Sequence, residues 1–234
     1  ITINSKQGLI ILYFKSMLNK SKKSPKGSIK FNINLSAEQK AAKEEVLSHA
    51  FSFLVGKAGS GKTLLAVQIA MDMFFKRQYN KIVITRPTIA TEDNGFLPGS
   101  EKEKMEPWLV PIMSNMHKVY NKPDKIQKMV EGGEIELVSL SHFRGRTFDS
   151  SVVIIDEFQN LTRSQFNMAL GRLGKDSIMI FCGDYQQIDL KDPNYSAINE
   201  VSKIKDSKYV YKVVLEDNHR HPAIDDVLRL LTGY

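Results

Sequence analysis

Phe51-Ser52-Phe53-Leu54-Val55, followed at once by Gly56-Lys57-Ala58-Gly59-Ser60-Gly61-Lys62-Thr63, is the stretch on which the reading of this chain turns. The octapeptide has the form G-x-x-x-x-G-K-[ST], and it opens where an apolar run of strand length ends. Glycines at 56, 59 and 61 let the backbone bend so that the N–H groups of the whole loop, including those of Lys57, Ala58 and Ser60, point inward at phosphate oxygens. Lys62 is spaced to reach the β- and γ-phosphates, and the Thr63 hydroxyl to ligate Mg²⁺. A helix beginning at Lys62 adds its positive N-terminal end. The pattern implies a site for a nucleoside triphosphate.

Working outward, from about residue 36 the chain alternates apolar strand-like runs with helical stretches, which predicts an α/β fold: a parallel sheet covered by helices on both faces. Strands are expected at Phe51–Val55, Lys81–Thr85, Glu134–Ser139, Ser151–Ile155, Ser177–Cys182 and Tyr209–Leu215. A helix is expected from Lys62 to about Lys76, and another after Thr162, where Thr162-Arg163-Ser164-Gln165 reads as a capping box. Between Thr88 and Pro111 the sequence is rich in proline and glycine without a clear period, which predicts a long functional loop.

Two further strand ends carry chemistry. Val152-Val153-Ile154-Ile155 runs straight into Asp156-Glu157. Parallel strands deliver their C-terminal ends to one crevice, so this pair should face the phosphate loop, with Asp156 supporting Mg²⁺ and Glu157 polarising a water for in-line attack. The run Ser177–Cys182 ends in Gly183-Asp184-Tyr185-Gln186-Gln187, where Gln187 is placed to sense the γ-phosphate. Arg220, after the last apolar run, is placed to neutralise charge developing on the transferred phosphoryl group.

Composition bounds the rest. The 234 residues, 42% of them hydrophobic, suffice for one substantial core without disulfides or structural metal. Cys182 is the single cysteine, which points to a reducing compartment, the cytoplasm. A net charge of +7 suits a polyanionic partner without demanding one. The apolar run from Gly8 to Phe14 is too short to span a bilayer, and the lysines follow it rather than precede it, so neither a membrane span nor a signal peptide is expected. Residues 1–33 read as a basic flexible segment, of which 1–16 look like upstream translation before Met17, and residues 34–234 as a single domain.

The ordered motifs resemble the first RecA-like domain of superfamily 1 helicases and, more closely, PhoH-like proteins, a family of phosphate-starvation-inducible P-loop NTPases of bacteria and their phages. The residues that carry the resemblance are the phosphate loop, Asp156-Glu157-Phe158-Gln159-Asn160, Gly183 to Asp189, Thr85-Arg86-Pro87, Gly95 to Gly99, Glu106-Pro107-Trp108, and Phe143 to Phe148. It covers about residues 36–230. The resemblance implies that Gln39 selects adenine, making ATP the nucleotide, and that Gln187 and Arg220 contact the γ-phosphate. It places Arg86, Arg144 and Arg146 in stretches that meet nucleic acid or a neighbouring subunit, or else form structural ion pairs. Phe158 departs from the alanine more common in the family.

Helicases of that superfamily close two RecA-like domains around ATP, and this sequence holds one, so the missing surface is expected from a homo-oligomer or from another protein, or the chain is an ATP-dependent binder that does not unwind; the favoured expectation is a ring-like homo-oligomer with Arg220 or Arg146 reaching a neighbour's ATP. The expected function is Mg²⁺-dependent ATP hydrolysis coupled to RNA or single-stranded nucleic acid, helicase-like in character. The alternative is a nucleotide-gated regulatory protein acting on a protein partner.

Overall fold

A computed structural model describes residues 31–87, 101–219 except 206, and 221, 223, 224, 226, 227 and 230, with side chains in the helix that starts at Glu101 described from Val110 onward. Residues 1–30 of the basic segment 1–33, the Gly95–Gly99 motif and Arg220 lie outside the described residues.

The chain opens with helix α1 (Ala37–Val46), whose N-cap is a capping box: the Ser36 hydroxyl accepts from the Gln39 N–H, and Gln39 Oε1 accepts from the Ser36 N–H. Then come β1 (Phe51–Gly56), α2 (Lys62–Phe75), β2 (Lys81–Thr85), α3 (Glu101–Val119), α4 (Pro123–Glu131), β3 (Ile135–Leu137), β4 (Ser151–Asp156), α5 (Arg163–Leu170), β5 (Ile178–Gly183), the short α6 (Ile198–Val201) and β6 (Val210–Leu215). The six strands form one sheet in the order β3-β2-β4-β5-β1-β6, and every neighbouring pair is parallel.

Strand alternation divides the core in two. Val152 and Ile154 of β4, with Ile178, Ile180 and Cys182 of β5, face α1, α2, α3 and α4. Val153, Ile155, Met179 and Phe181 face the layer that contains Phe158, Phe166, Ala197 and Ile198. Both faces are covered, which is why the central strands read as continuous apolar runs rather than alternating ones. Helix α2 is buried from Leu65 to Phe74, as expected of a helix apolar around most of its surface and enclosed by the sheet and α3. No described helix is long and apolar enough to cross a membrane.

The expected strands all form. Those ending in Asp156 and Gly183 each run one residue further than their apolar stretch, and β3 is shorter, because the chain turns into a 3₁₀ segment at Leu140–Phe143. The helix after Thr162 is capped as expected, by Thr162 and Gln165. One expectation is corrected: the stretch from Thr88 to Pro111 is not a loop throughout, because α3 begins at Glu101 and continues through Pro107 and Pro111. Each proline removes a helical N–H, which obscured the helix in sequence. It is anchored instead by tertiary burial of Ile112, Met116 and Val119, spaced along one face.

Candidate functional site

The crevice lies at the C-terminal ends of β1, β4 and β5, with β5 inserted between the strand that feeds the phosphate loop and the strand that ends in the two acids. Gly61 makes the turn from loop to helix: it is the N-cap of α2 with φ 79°, and a Cβ there would sit 2.6 Å from Gln39 Nε2. The first N–H groups of α2 are thereby presented to the crevice. A cavity of about 470 Å³ runs along the loop, a volume in the range of small-molecule sites. Its walls include Glu157, Asp184 and Gln187 from the strand ends, Gln39 and His219, and Asn115 and Lys118 from α3.

Lys62 Nζ donates to the main-chain oxygens of Gly56 (2.7 Å) and Lys57 (2.9 Å), so a bound polyphosphate would compete with the loop's own carbonyls for it. Thr63 Oγ1 donates to Asp156 Oδ1 at 2.6 Å, joining the start of α2 to the end of β4. Burial pushes the Asp156 carboxyl up to about 6; the Glu157 charge adds to this, while the Thr63 hydroxyl and the Arg86 guanidinium work against it. Beneath it, burial pushes the Cys182 thiol well above its ordinary value.

Glu157 occupies the left-handed region, φ 53° and ψ 42°, which costs a residue with a Cβ about 1 kcal/mol or more. Three contacts hold it there. Arg86 Nη2 donates to Oε1 at 3.3 Å, Gln159 Nε2 donates to Oε2 at 2.5 Å, and the Asn160 N–H donates to the Glu157 carbonyl. Gln159, fully buried, also donates to the Gln187 carbonyl (3.0 Å) and accepts from the Asp184 N–H (3.2 Å). One side chain thus ties together the two acidic and polar strand ends. Nothing in the sequence marks Gln159 for this function: it stands as one polar residue among Glu157, Phe158 and Asn160.

The site residues read from sequence are largely brought together. Gly56, Lys57, Ala58, Gly59, Ser60, Gly61, Lys62 and Thr63 form the loop, and Asp156, Glu157 and Gln187 adjoin it. Gln39 lines the cavity, but its amide is engaged: beyond the capping box, Nε2 donates to the Ser60 carbonyl at 3.3 Å and lies 3.1 Å from His219 Nε2. Reading a base edge therefore requires Gln39 to exchange one of these partners or to use the remaining lone pair of Oε1.

The three flagged arginines diverge. Arg86 joins the site, Arg144 is exposed, and Arg146 donates to Glu136 Oε2 at 2.6 Å while stacking over Phe148. Although burial works to raise it, the hydrogen bonds from Lys81 and Arg146 hold the Glu136 carboxyl below its ordinary value. Arg146 is thus occupied within its own chain, beside the start of β2 and not in the crevice.

Thr63 and Asp156 are the residues suited to a divalent cation, a hydroxyl and a buried carboxylate already in contact. Among the described residues no group of three or more His, Cys, Asp or Glu side chains converges to hold a metal, so phosphate and water would complete the shell.

Comparison with known proteins bears on the fold and the family. The crystal structure of the UvsW helicase from bacteriophage T4 superposes with a TM-score of 0.50 at 13% identity, covering 87% of this chain and 66% of that one, a likeness of fold alone. A PhoH-like protein of Bacillus subtilis is 40% identical over 180 residues, 75% of this chain and 56% of its own length. A PhoH-like protein of a Synechocystis species is 36% identical over 187 residues, 78% of this chain and 57% of its own. The chain therefore spans a little over half the length of these relatives. The profile described as PhoH-like protein matches residues 33–232, and with these relatives it shows that the chain belongs to the PhoH-like family and has the fold of a P-loop NTPase.

Proposed function

We propose that the chain binds ATP with Mg²⁺ and hydrolyses the β–γ bond, and that turnover is coupled to RNA or single-stranded nucleic acid in a helicase-like manner. The observation that carries the reading is the Thr63–Asp156 contact, which places a complete phosphate loop against a strand ending in a second carboxylate, Glu157, that lines the same cavity. Lys62 would leave its loop carbonyls for the β- and γ-phosphates. Thr63 and Asp156 would hold Mg²⁺, which supplies charge neutralisation on the phosphate oxygens. Glu157, oriented by Gln159 and Arg86, would take a proton from the attacking water as its oxygen bonds to γ-phosphorus and the β–γ bridging oxygen leaves with ADP. Gln187 would report the γ-phosphate.

Coupling to nucleic acid is supported by the net charge of +7. Homo-oligomerisation, in a ring, belongs to the same proposal, with Arg220 as the group one copy offers the next; a purely monomeric species by light scattering in ATP and Mg²⁺ would remove it. The test of function is steady-state ATP hydrolysis with and without single-stranded RNA and DNA. Lys62→Ala should weaken nucleotide binding, and Glu157→Gln should retain binding and abolish turnover. Normal hydrolysis by Glu157→Gln would overturn the assigned chemistry, and turnover indifferent to both polymers would favour a nucleotide-gated regulator of a protein partner.

A further inference from the structure

Asp184 is the residue of the crevice left without an explanation. It follows β5 directly, two positions beyond Cys182, and Cys182 is the register partner of Asp156 across β4 and β5. Continuing the strand alternation places Asp184 on the same face as Asp156, and it does line the cavity beside Glu157. It is only 3% exposed. Its Oδ1 accepts from the Gln186 N–H at 2.9 Å, and its main-chain N–H donates to Gln159. Its Oδ2 is buried and has no hydrogen-bond partner among the described residues.

A buried carboxylate oxygen with no donor costs about 1–3 kcal/mol or more, so its persistence in a cavity wall calls for a donor that arrives with a ligand. Lys62 is engaged on its own loop and Arg86 on Glu157, and neither donates to this oxygen. The crevice thus carries three acids, Asp156, Glu157 and Asp184. Strand order then selects the occupant. β5 lies between β1, whose loop leads to Thr63, and β4, which ends in Asp156, so Asp184 emerges between those two strand ends and lines the same cavity as Thr63. Direct ligation by all the acids is not what the arrangement offers, because among the described residues no such group converges. Mg²⁺ keeps several of its waters, and these are strong donors.

We propose that Asp184 is an outer-sphere ligand of the divalent cation held at Thr63 and Asp156: its free Oδ2 accepts a hydrogen bond from a metal-bound water and so sets the affinity for the metal. The inference rests on the nucleotide-and-metal reading above and adds a residue to it. It is a positioning role, exerted through water.

The probe is Mn²⁺, titrated by electron paramagnetic resonance into the full chain saturated with ADP, for the parent and for Asp184→Asn. Asparagine keeps the shape and the acceptor for Gln186 but puts an N–H₂ where Oδ2 stood. Mn²⁺ affinity is expected to fall by about 10-fold or more, while ADP affinity measured in EDTA stays at the parent value. The metal-free melting temperature is expected to rise, since an unpaired buried charge is gone, and the gain on adding Mn²⁺ and ADP to shrink. Asp184→Ser, which retains a short acceptor for the turn, is expected to lose Mn²⁺ affinity equally and serves if asparagine does not fold. Mn²⁺ affinity within about twofold of the parent in the folded variants would overturn the inference while leaving the nucleotide reading intact. A parent chain that binds no Mn²⁺ with ADP would take both down.

Discussion

The Arg86 guanidinium spans the two acids of the crevice, its Nη2 3.3 Å from Glu157 Oε1 and its Nη1 3.8 Å from Asp156 Oδ2. Adjacent carboxylates at a strand end repel one another, and a planar cation bridging both offsets that repulsion as a point charge cannot. Arg86→Ala should therefore destabilise the folded chain by about 1–2 kcal/mol, with Arg86→Lys recovering only part. Chemical denaturation of Arg86→Ala, Glu157→Gln and the double variant checks this: strictly additive losses would show that the pair does not interact.

Gln159 makes the second prediction. Its amide satisfies Glu157, the Gln187 carbonyl and the Asp184 N–H at once, so no other side chain can hold all three. Gln159→Glu would place an acid against Glu157 and should reduce ATP turnover by about 10-fold or more with ATP binding little changed. Gln159→Ala should lower both turnover and stability, the latter by about 1–3 kcal/mol, through the unpaired groups it leaves. Unaltered kcat in Gln159→Glu would show that Glu157 needs no such support.

Asp156 gives a pH dependence. Its folded-state value of about 6 lies above its ordinary 3.8, so its neutral form is favoured by folding. The corresponding stability is fully present below about pH 4 and is lost as pH rises through 6, amounting to about 3 kcal/mol. Asp156→Asn, which stays neutral, should melt higher than the parent above pH 6 in the absence of nucleotide and metal, and the difference should close as pH falls toward 4. A difference independent of pH would rule out burial of the charge as its origin.

Packing behind the acids is equally specific. A Cβ on Gly183 would lie 2.5 Å from the ring of Phe158, which is buried against Phe53, Phe166 and Phe181. Gly183→Ala should destabilise by about 1–3 kcal/mol through overpacking. In a Phe158→Ala background, where the ring is gone, the same substitution should lose most of its effect. Thermal denaturation of the four proteins measures the coupling, and equal effects of Gly183→Ala in both backgrounds would contradict the packing described.

Much of this protein was legible without coordinates because its signals are local. A strand buried on both faces needs an unbroken apolar run, a phosphate-cradling turn needs glycine at fixed offsets, and a capping box needs its polar pair three residues apart; all are properties of consecutive residues. Phe51–Thr63, Val152–Glu157 and Thr162–Gln165 were therefore readable as written. What the tertiary structure alone decided depends on strand order and on contacts between distant positions. Arg86 meets Glu157 across 71 residues of chain and Thr63 meets Asp156 across 93. Helix α3 survives two prolines because its buried face finds α2, and hydrophobic period says nothing about that encounter. Asp184 stands in sequence at a strand end beside Gln187 with no role of its own; only the insertion of β5 between β1 and β4 buries it in the cavity wall with one oxygen unpaired.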